Sequence, residues 1–181
     1  GEEAQALAEA GIPFDVVPGI TAAQGAGACA GIPLTHRDHA ATLVFATGHL
    51  RGESDVALDW ELLARPRQTV VIYMGIGTLP IICAELQRHG LPGDTPAALV
   101  EQATLPTQRC ITGTLQELPA LAQQHRVRPP ALIVIGGVVA LQPQLMQGMR
   151  SMARRAARLG GLLVVDGVHG QGTRIRLLVP M

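Results

Sequence analysis

Lysine is absent from this chain: all fourteen of its cations are arginine. That excludes Schiff-base chemistry and a lysine base within these residues. Aromatic residues are nearly absent too, at 2%, so the core must be built from Ala, Val, Leu and Ile. The three cysteines, Cys29, Cys83 and Cys110, stand far apart with no C-x-x-C spacing. Neither a zinc site nor a disulfide framework is indicated, and each is read as a small buried hydrophobe. His36 and His39 have a spacing that can bring two imidazoles to one metal, but no third ligand is in reach, so no metal is expected. There is no excess charge of either sign, with 14 cations against 14 anions; neither nucleic acid nor an anionic membrane is expected as a partner. No apolar run is long enough to span a bilayer and no signal peptide is visible, which places the expected setting in a reducing cytoplasm.

What is there is an aliphatic chain of 181 residues, 48% apolar, enough for one domain or one and part of another. A chain of this size buries roughly 70% of its unfolded surface. It opens on "GEEAQALAEAG", with Gly rather than Met, and residue 1 is read as an interior cut. That segment is an amphipathic helix with acids at its N-terminal end and Gly11 as its stop. "FDVV" (14–17) reads as a short buried strand. Thr21 can cap a small-residue helix running to about Ala30. Strands are expected at 41–49, 68–75, 96–101, 107–114 and 130–141, with helices at "DWELLA", 78–90 and 115–125. Strands alternating with helices, several of them continuously apolar, predict an α/β architecture with a largely parallel or mixed sheet. From about Gln142 the texture changes to a basic helix and a hairpin-like strand pair around "GVHGQG".

The stretch "PGITAAQGAGACAGIPLTHRD" (18–38) raises the functional question. Its small residues allow backbone or ligand to approach closely, and it ends on Thr35-His36-Arg37-Asp38. Read from residue type alone, Ala22 packs a helix, Thr21 caps it, Met74 fills a core gap, and Arg37 with Asp38 forms a solvated pair. His49 in "TGHL" reads as a loop histidine. "PGITAA" followed by "GIPLTHRD", then "TGHL", "DWELLA", "QTVVIYMG", "HGLPGDTPAALVEQATLPTQR" and "PALIVIGGVVAL", resembles the tetrapyrrole methylase family, and within it the uroporphyrinogen-III branch. The likeness covers roughly residues 1–141.

The resemblance implies an S-adenosylmethionine-dependent C-methylation of uroporphyrinogen III to precorrin-2, the branch leading to siroheme, cobalamin and heme d1. It implies the end of the first methylase domain over residues 1–40, most of the second α/β domain over 41–141, and an added helix plus strand-pair tail over 142–181. By position it assigns Thr21, Ala22, Met74 and Ala103 to the cofactor. Ala103 stands where the family usually has Gly, which matters only if that position needs a positive φ. Arg37 is assigned to a substrate carboxylate, and Glu2 to substrate positioning or proton handling. A homodimer is expected. The family's N-terminal half is not in these residues, so weak or no cofactor binding and no methyl transfer are expected of the chain alone. The rival reading is a non-catalytic remnant acting as a dimerisation or interaction module. The tail, about residues 146–181, resembles the end of a sensor histidine kinase ATP-binding domain, with Gly170-Gln171-Gly172-Thr173 as its turn. The rest of that site is absent, and nucleotide binding is not expected.

Overall fold

The structure, a computed structural model, describes residues 1–48, 58–158, 160–168 and 172–178. His49 and the loop after it therefore lie outside the described residues, as do Gly170 and Gln171 of the tail turn.

Helix α1, Glu2–Glu9, carries Glu2 and Glu3 in its first turn, where the helix dipole favours acids. Gly11, at φ +66°, ends it. The strand expected at "FDVV" does not form. Val16 and Val17 are 78% and 88% exposed, because a short apolar run becomes a strand only when a sheet edge pairs with it. No described strand pairs with this run.

Helix α2, Ala22–Ala30, follows as expected. Its small residues serve packing: Ala23, Ala26 and Ala30 are buried against Val71, Ala98 and Val134. A Cβ on Gly27 would come within 2.8 Å of the Ile32 carbonyl oxygen. The bulk missing from this helix is thus bulk that its own sheet and chain exclude.

The sheet comprises β1 (Thr42–Thr47), β2 (Gln68–Tyr73), β3 (Pro96–Glu101), β4 (Arg109–Thr114) and β5 (Ala131–Ile135). Its order is β1-β2-β5-β3-β4. Only β1 and β2 run parallel; the other neighbours are antiparallel, so of the two expected forms the sheet is the mixed one. β2, β3 and β5 are covered on both faces, which is why they read as unbroken apolar runs. Val70, Ile72, Leu99 and Ile133 face helices α3 (Trp60–Leu63), α4 (Leu79–Arg88) and α5 (Leu118–Gln124) through Leu63, Ile82, Leu86 and Leu118. The other face meets α2 and a 3₁₀ turn, Gly137–Leu141. That turn occupies the second half of the expected strand 130–141. Gly136 sits at φ +141°, and a Cβ there would lie 2.6 Å from the Gln68 carbonyl oxygen; only glycine lets the chain turn this close to β2.

The tail forms helix α6, Gln142–Arg158, and a two-stranded antiparallel sheet, β6 (Leu162–Val168) with β7 (Gly172–Leu178). The basic helix and strand pair read from the sequence are both present.

Candidate cofactor cavity and its neighbours

A cavity of about 520 Å³ opens where β2 and β3 end and β5 begins. Ala22, Tyr73, Met74, Gln102, Ala103 and Leu132 are among its lining residues. They come from four separated segments: β2, β5 and β3 are neighbours in the sheet, and α2 packs on the face they share. Three of the four residues assigned to the cofactor by resemblance, Ala22, Met74 and Ala103, meet here.

Thr21 joins them through Tyr73. The Thr21 Oγ1 and Tyr73 hydroxyl share a hydrogen bond, and the Ala23 N–H donates to the same hydroxyl oxygen at 3.0 Å. Thr21 makes no side-chain cap bond of its own. A helix N-terminus leaves N–H groups without partners, and Tyr73 supplies one from the end of β2 beneath the helix. Phe45 meets the tyrosine ring edge-on, with centroids 5.9 Å apart, a geometry the ring quadrupoles favour. Tyr73 is a residue the sequence reading did not single out. Its signal was available: it is the sole tyrosine, and strand alternation puts it on the face of Val71, beneath α2.

The backbone on both sides of the cavity is held in an uncommon conformation. Met74 has φ +52° and Gln102 φ +49°, left-handed values that cost about 1–3 kcal/mol for a side-chain-bearing residue. The Gln102 N–H donates to the Pro130 carbonyl at 2.9 Å, which ties the end of β3 to the start of β5. Ala103 lies between left-handed Gln102 and Thr104 without itself having a positive φ. Alanine at 103 therefore carries no left-handed strain.

Directly before this turn lies Glu101, 6% exposed. Arg109 Nε donates to it at 2.6 Å and the Arg128 amide at 2.9 Å. Burial works to raise its pKa, but these hydrogen bonds and the arginine charges outweigh it and hold the carboxyl below its usual range. Arg109 also donates to the His125 carbonyl at 3.0 Å, so one ion pair fixes the ends of three elements behind the cavity.

The remaining expected site residues lie elsewhere. Glu2 is 97% exposed, and its carboxylate is 3.1 Å from the amino terminus. Arg37 is exposed and lines no part of the cavity. Its carbonyl accepts a hydrogen bond from Arg67, just before β2 starts, at the opposite end of the strand from Tyr73. The length of β2, roughly 20 Å at about 3.3 Å per residue, separates Arg37 from Met74. The His36 and His39 rings are 5.0 Å apart, and among the described residues no three metal-binding side chains converge. Of the cysteines, Cys83 is buried and its thiol is pushed up to about 12 by desolvation; Cys110 is half-buried and raised to about 11. Cys29 is exposed, contrary to the expectation that each would be buried, because it faces away from the sheet that covers Ala26 and Ala30. No described helix is long and apolar enough to cross a membrane.

Known proteins resemble this chain in both sequence and fold. Residues 1–119 match the family model described as tetrapyrrole (corrin/porphyrin) methylases. A siroheme synthase from Gluconacetobacter diazotrophicus is 59% identical over 139 residues, 77% of this chain and 30% of that protein. A uroporphyrin-III C-methyltransferase from Thermus thermophilus has a similar structure, with a TM-score of 0.66 and 36% identity over 77% of this chain and 58% of that one. The same Thermus enzyme solved with S-adenosyl homocysteine gives a TM-score of 0.65 at 36% identity, covering 77% of this chain and 60% of that one. The chain thus spans about a third of the siroheme synthase and under two thirds of the methyltransferase. With residues 1–119 matched and a mixed α/β sheet bringing Ala22, Met74 and Ala103 to one cavity, the chain belongs to the tetrapyrrole methylase family, whose methyl donor is S-adenosylmethionine.

Proposed function

We propose that the chain carries the C-terminal part of an S-adenosylmethionine site serving C-methylation of uroporphyrinogen III to precorrin-2, the reaction of a uroporphyrinogen-III C-methyltransferase. The observation that carries this reading is the cavity of about 520 Å³, which gathers Ala22, Met74 and Ala103 from three stretches of sequence. Its size falls within the range of small-molecule sites, and its lining is mostly apolar with a few polar groups, as such sites are.

The residues present fit the group. Ala22 leaves room where a larger side chain would intrude. The left-handed turns at Met74 and Gln102 hold the rim in one shape. The Tyr73 hydroxyl keeps the Thr21–Ala23 turn against the cavity. When bound, the sulfonium supplies an already activated methyl group. The protein then contributes position, orientation and exclusion of water, and needs no metal for this. Family resemblance alone assigns Glu2 and Arg37, which line no part of this cavity, to substrate positioning and carboxylate binding. Arg37→Ala tests this: it weakens tetrapyrrole binding and spares the cofactor if the assignment holds.

The relatives are longer than this chain, so the proposal concerns a share of a site. Titration calorimetry with S-adenosylhomocysteine is the test. Weak, saturable binding of one molecule per chain, abolished by Ala22→Leu in a variant that remains folded, is expected. Silence at millimolar ligand overturns the cofactor reading and favours a non-catalytic interaction module. Exposed Val16, Val17 and Ile20 speak for that second reading. The likeness of residues 146–181 to a histidine kinase ATP-binding domain gains no support from the family match, which stops at residue 119, or from the relatives above. No nucleotide site is proposed there.

A further inference from the structure

At the far end of the sheet from the cofactor cavity lies a second hollow, of about 270 Å³. It forms where β2 begins and β5 ends, and its floor is apolar: Leu63, Val70, Leu91 and Ile135. Around it stand His39, Arg65 and Arg67. Arg67 Nη2 also donates to the Arg37 carbonyl at 3.4 Å, tying that backbone to the rim.

Among the described residues, no carboxylate comes within 4.0 Å of the guanidinium of Arg37, Arg65 or Arg67. Arg65 and Arg67 thus line the hollow with no ion-pair partner among the described residues.

The walls are also fixed in place. Gln68, 8% exposed, donates from its amide to the Leu62 and Leu63 carbonyls, both at 2.8 Å. Arg67 is held at φ +59°, a left-handed conformation that proteins retain chiefly where the surroundings enforce it. Gly136, with its backbone pressed against the Gln68 carbonyl, closes the opposite side.

An apolar floor beneath two guanidinium groups that have no ion-pair partner among the described residues suits one kind of ligand. Arginine grips phosphate or carboxylate through paired N–H donors, and the floor takes apolar surface out of water. We propose that this hollow binds a small ligand that joins one oxyanion to an apolar body, at a site separate from the cofactor cavity. At about 270 Å³ it sits just below the usual range for drug-sized ligands, so the body is no larger than about one ring.

The test uses the whole chain and three probes: phenyl phosphate, benzoate and inorganic phosphate. Calorimetry is expected to show saturable one-site binding of phenyl phosphate or benzoate, at least tenfold tighter than inorganic phosphate. Which of the two aryl anions binds more tightly identifies the headgroup. Arg65→Ser with Arg67→Ser weakens that binding at least tenfold. Both side chains are exposed, so the far-ultraviolet circular dichroism and any S-adenosylhomocysteine binding stay as in the parent. Arg65→Lys with Arg67→Lys, which keeps charge and loses the fork, falls between. No saturable binding of any probe overturns the proposal, as does binding that the serine pair leaves untouched. Inorganic phosphate binding as tightly as phenyl phosphate also overturns it, because the apolar floor then contributes nothing.

Discussion

Tyr73 shows how much one side chain can carry. Its hydroxyl receives the Ala23 N–H and shares a hydrogen bond with Thr21, so strand β2 holds the start of α2 in place. Tyr73→Phe keeps the ring against Phe45 and removes both bonds. Net hydrogen bonds contribute roughly 0.5–1.5 kcal/mol each. The expected loss is about 1–2 kcal/mol in urea unfolding, together with faster amide exchange at Ala23. A variant whose Ala23 amide exchanges at the parent rate shows that the hydroxyl is idle. Gln102 makes the opposite case. Its left-handed φ of +49° stores strain that glycine does not feel, while glycine's extra freedom in the unfolded chain offsets part of the relief. Gln102→Gly is expected to raise the unfolding free energy by roughly 0.5–1 kcal/mol; a fall shows that its side chain holds the rim by contact.

At the level of elements, the joint behind the cavity depends on a charge. Glu101 is ionised more readily in the folded chain than its ordinary value of 4.5 implies. Its contribution is therefore full above that value and is lost as pH falls through the lower folded pKa. Glu101→Gln should lower stability at pH 7 and flatten the acid limb of the stability curve below about pH 4.5; parallel acid limbs would refute the role. Gly136→Ala is expected to cost more than about 2 kcal/mol, since the backbone of β2 blocks the added carbon. Thermal unfolding reads this directly.

These elements also mark the limit of what the sequence tells. Helices α1, α2 and α4 announced themselves by caps and by apolar spacing, and β2, β3 and β5 by unbroken apolar runs. "FDVV" misled because pairing is a tertiary property that composition does not carry. The end of β5 misled because Val138 and Val139 are as apolar in a 3₁₀ turn as in a strand. Ala22, Met74 and Ala103 were legible only through family likeness, since nothing in an alanine announces a cavity. Tyr73 was missed because a tyrosine ending a strand reads as ordinary packing. That Arg37 stands at the other end of the sheet follows from the path of the loop after α2, which has no periodic signal.

Across the whole molecule, apolar surface is distributed unevenly. Ile12, Phe14, Val16, Val17 and Ile20 are all exposed along one short stretch, and contiguous exposed patches of this kind mark interaction sites or drive association. Sedimentation velocity is expected to show self-association that grows with concentration and is reduced by Val16→Ser with Val17→Ser. A strictly monomeric parent would remove that expectation. The scarcity of aromatic rings, finally, has a practical side. Because Tyr73 is the sole tyrosine and lines the cavity, 3-fluorotyrosine incorporated biosynthetically gives one fluorine resonance, positioned at that cavity with no background from elsewhere. Occupancy there can be followed by nuclear magnetic resonance on an otherwise silent chain.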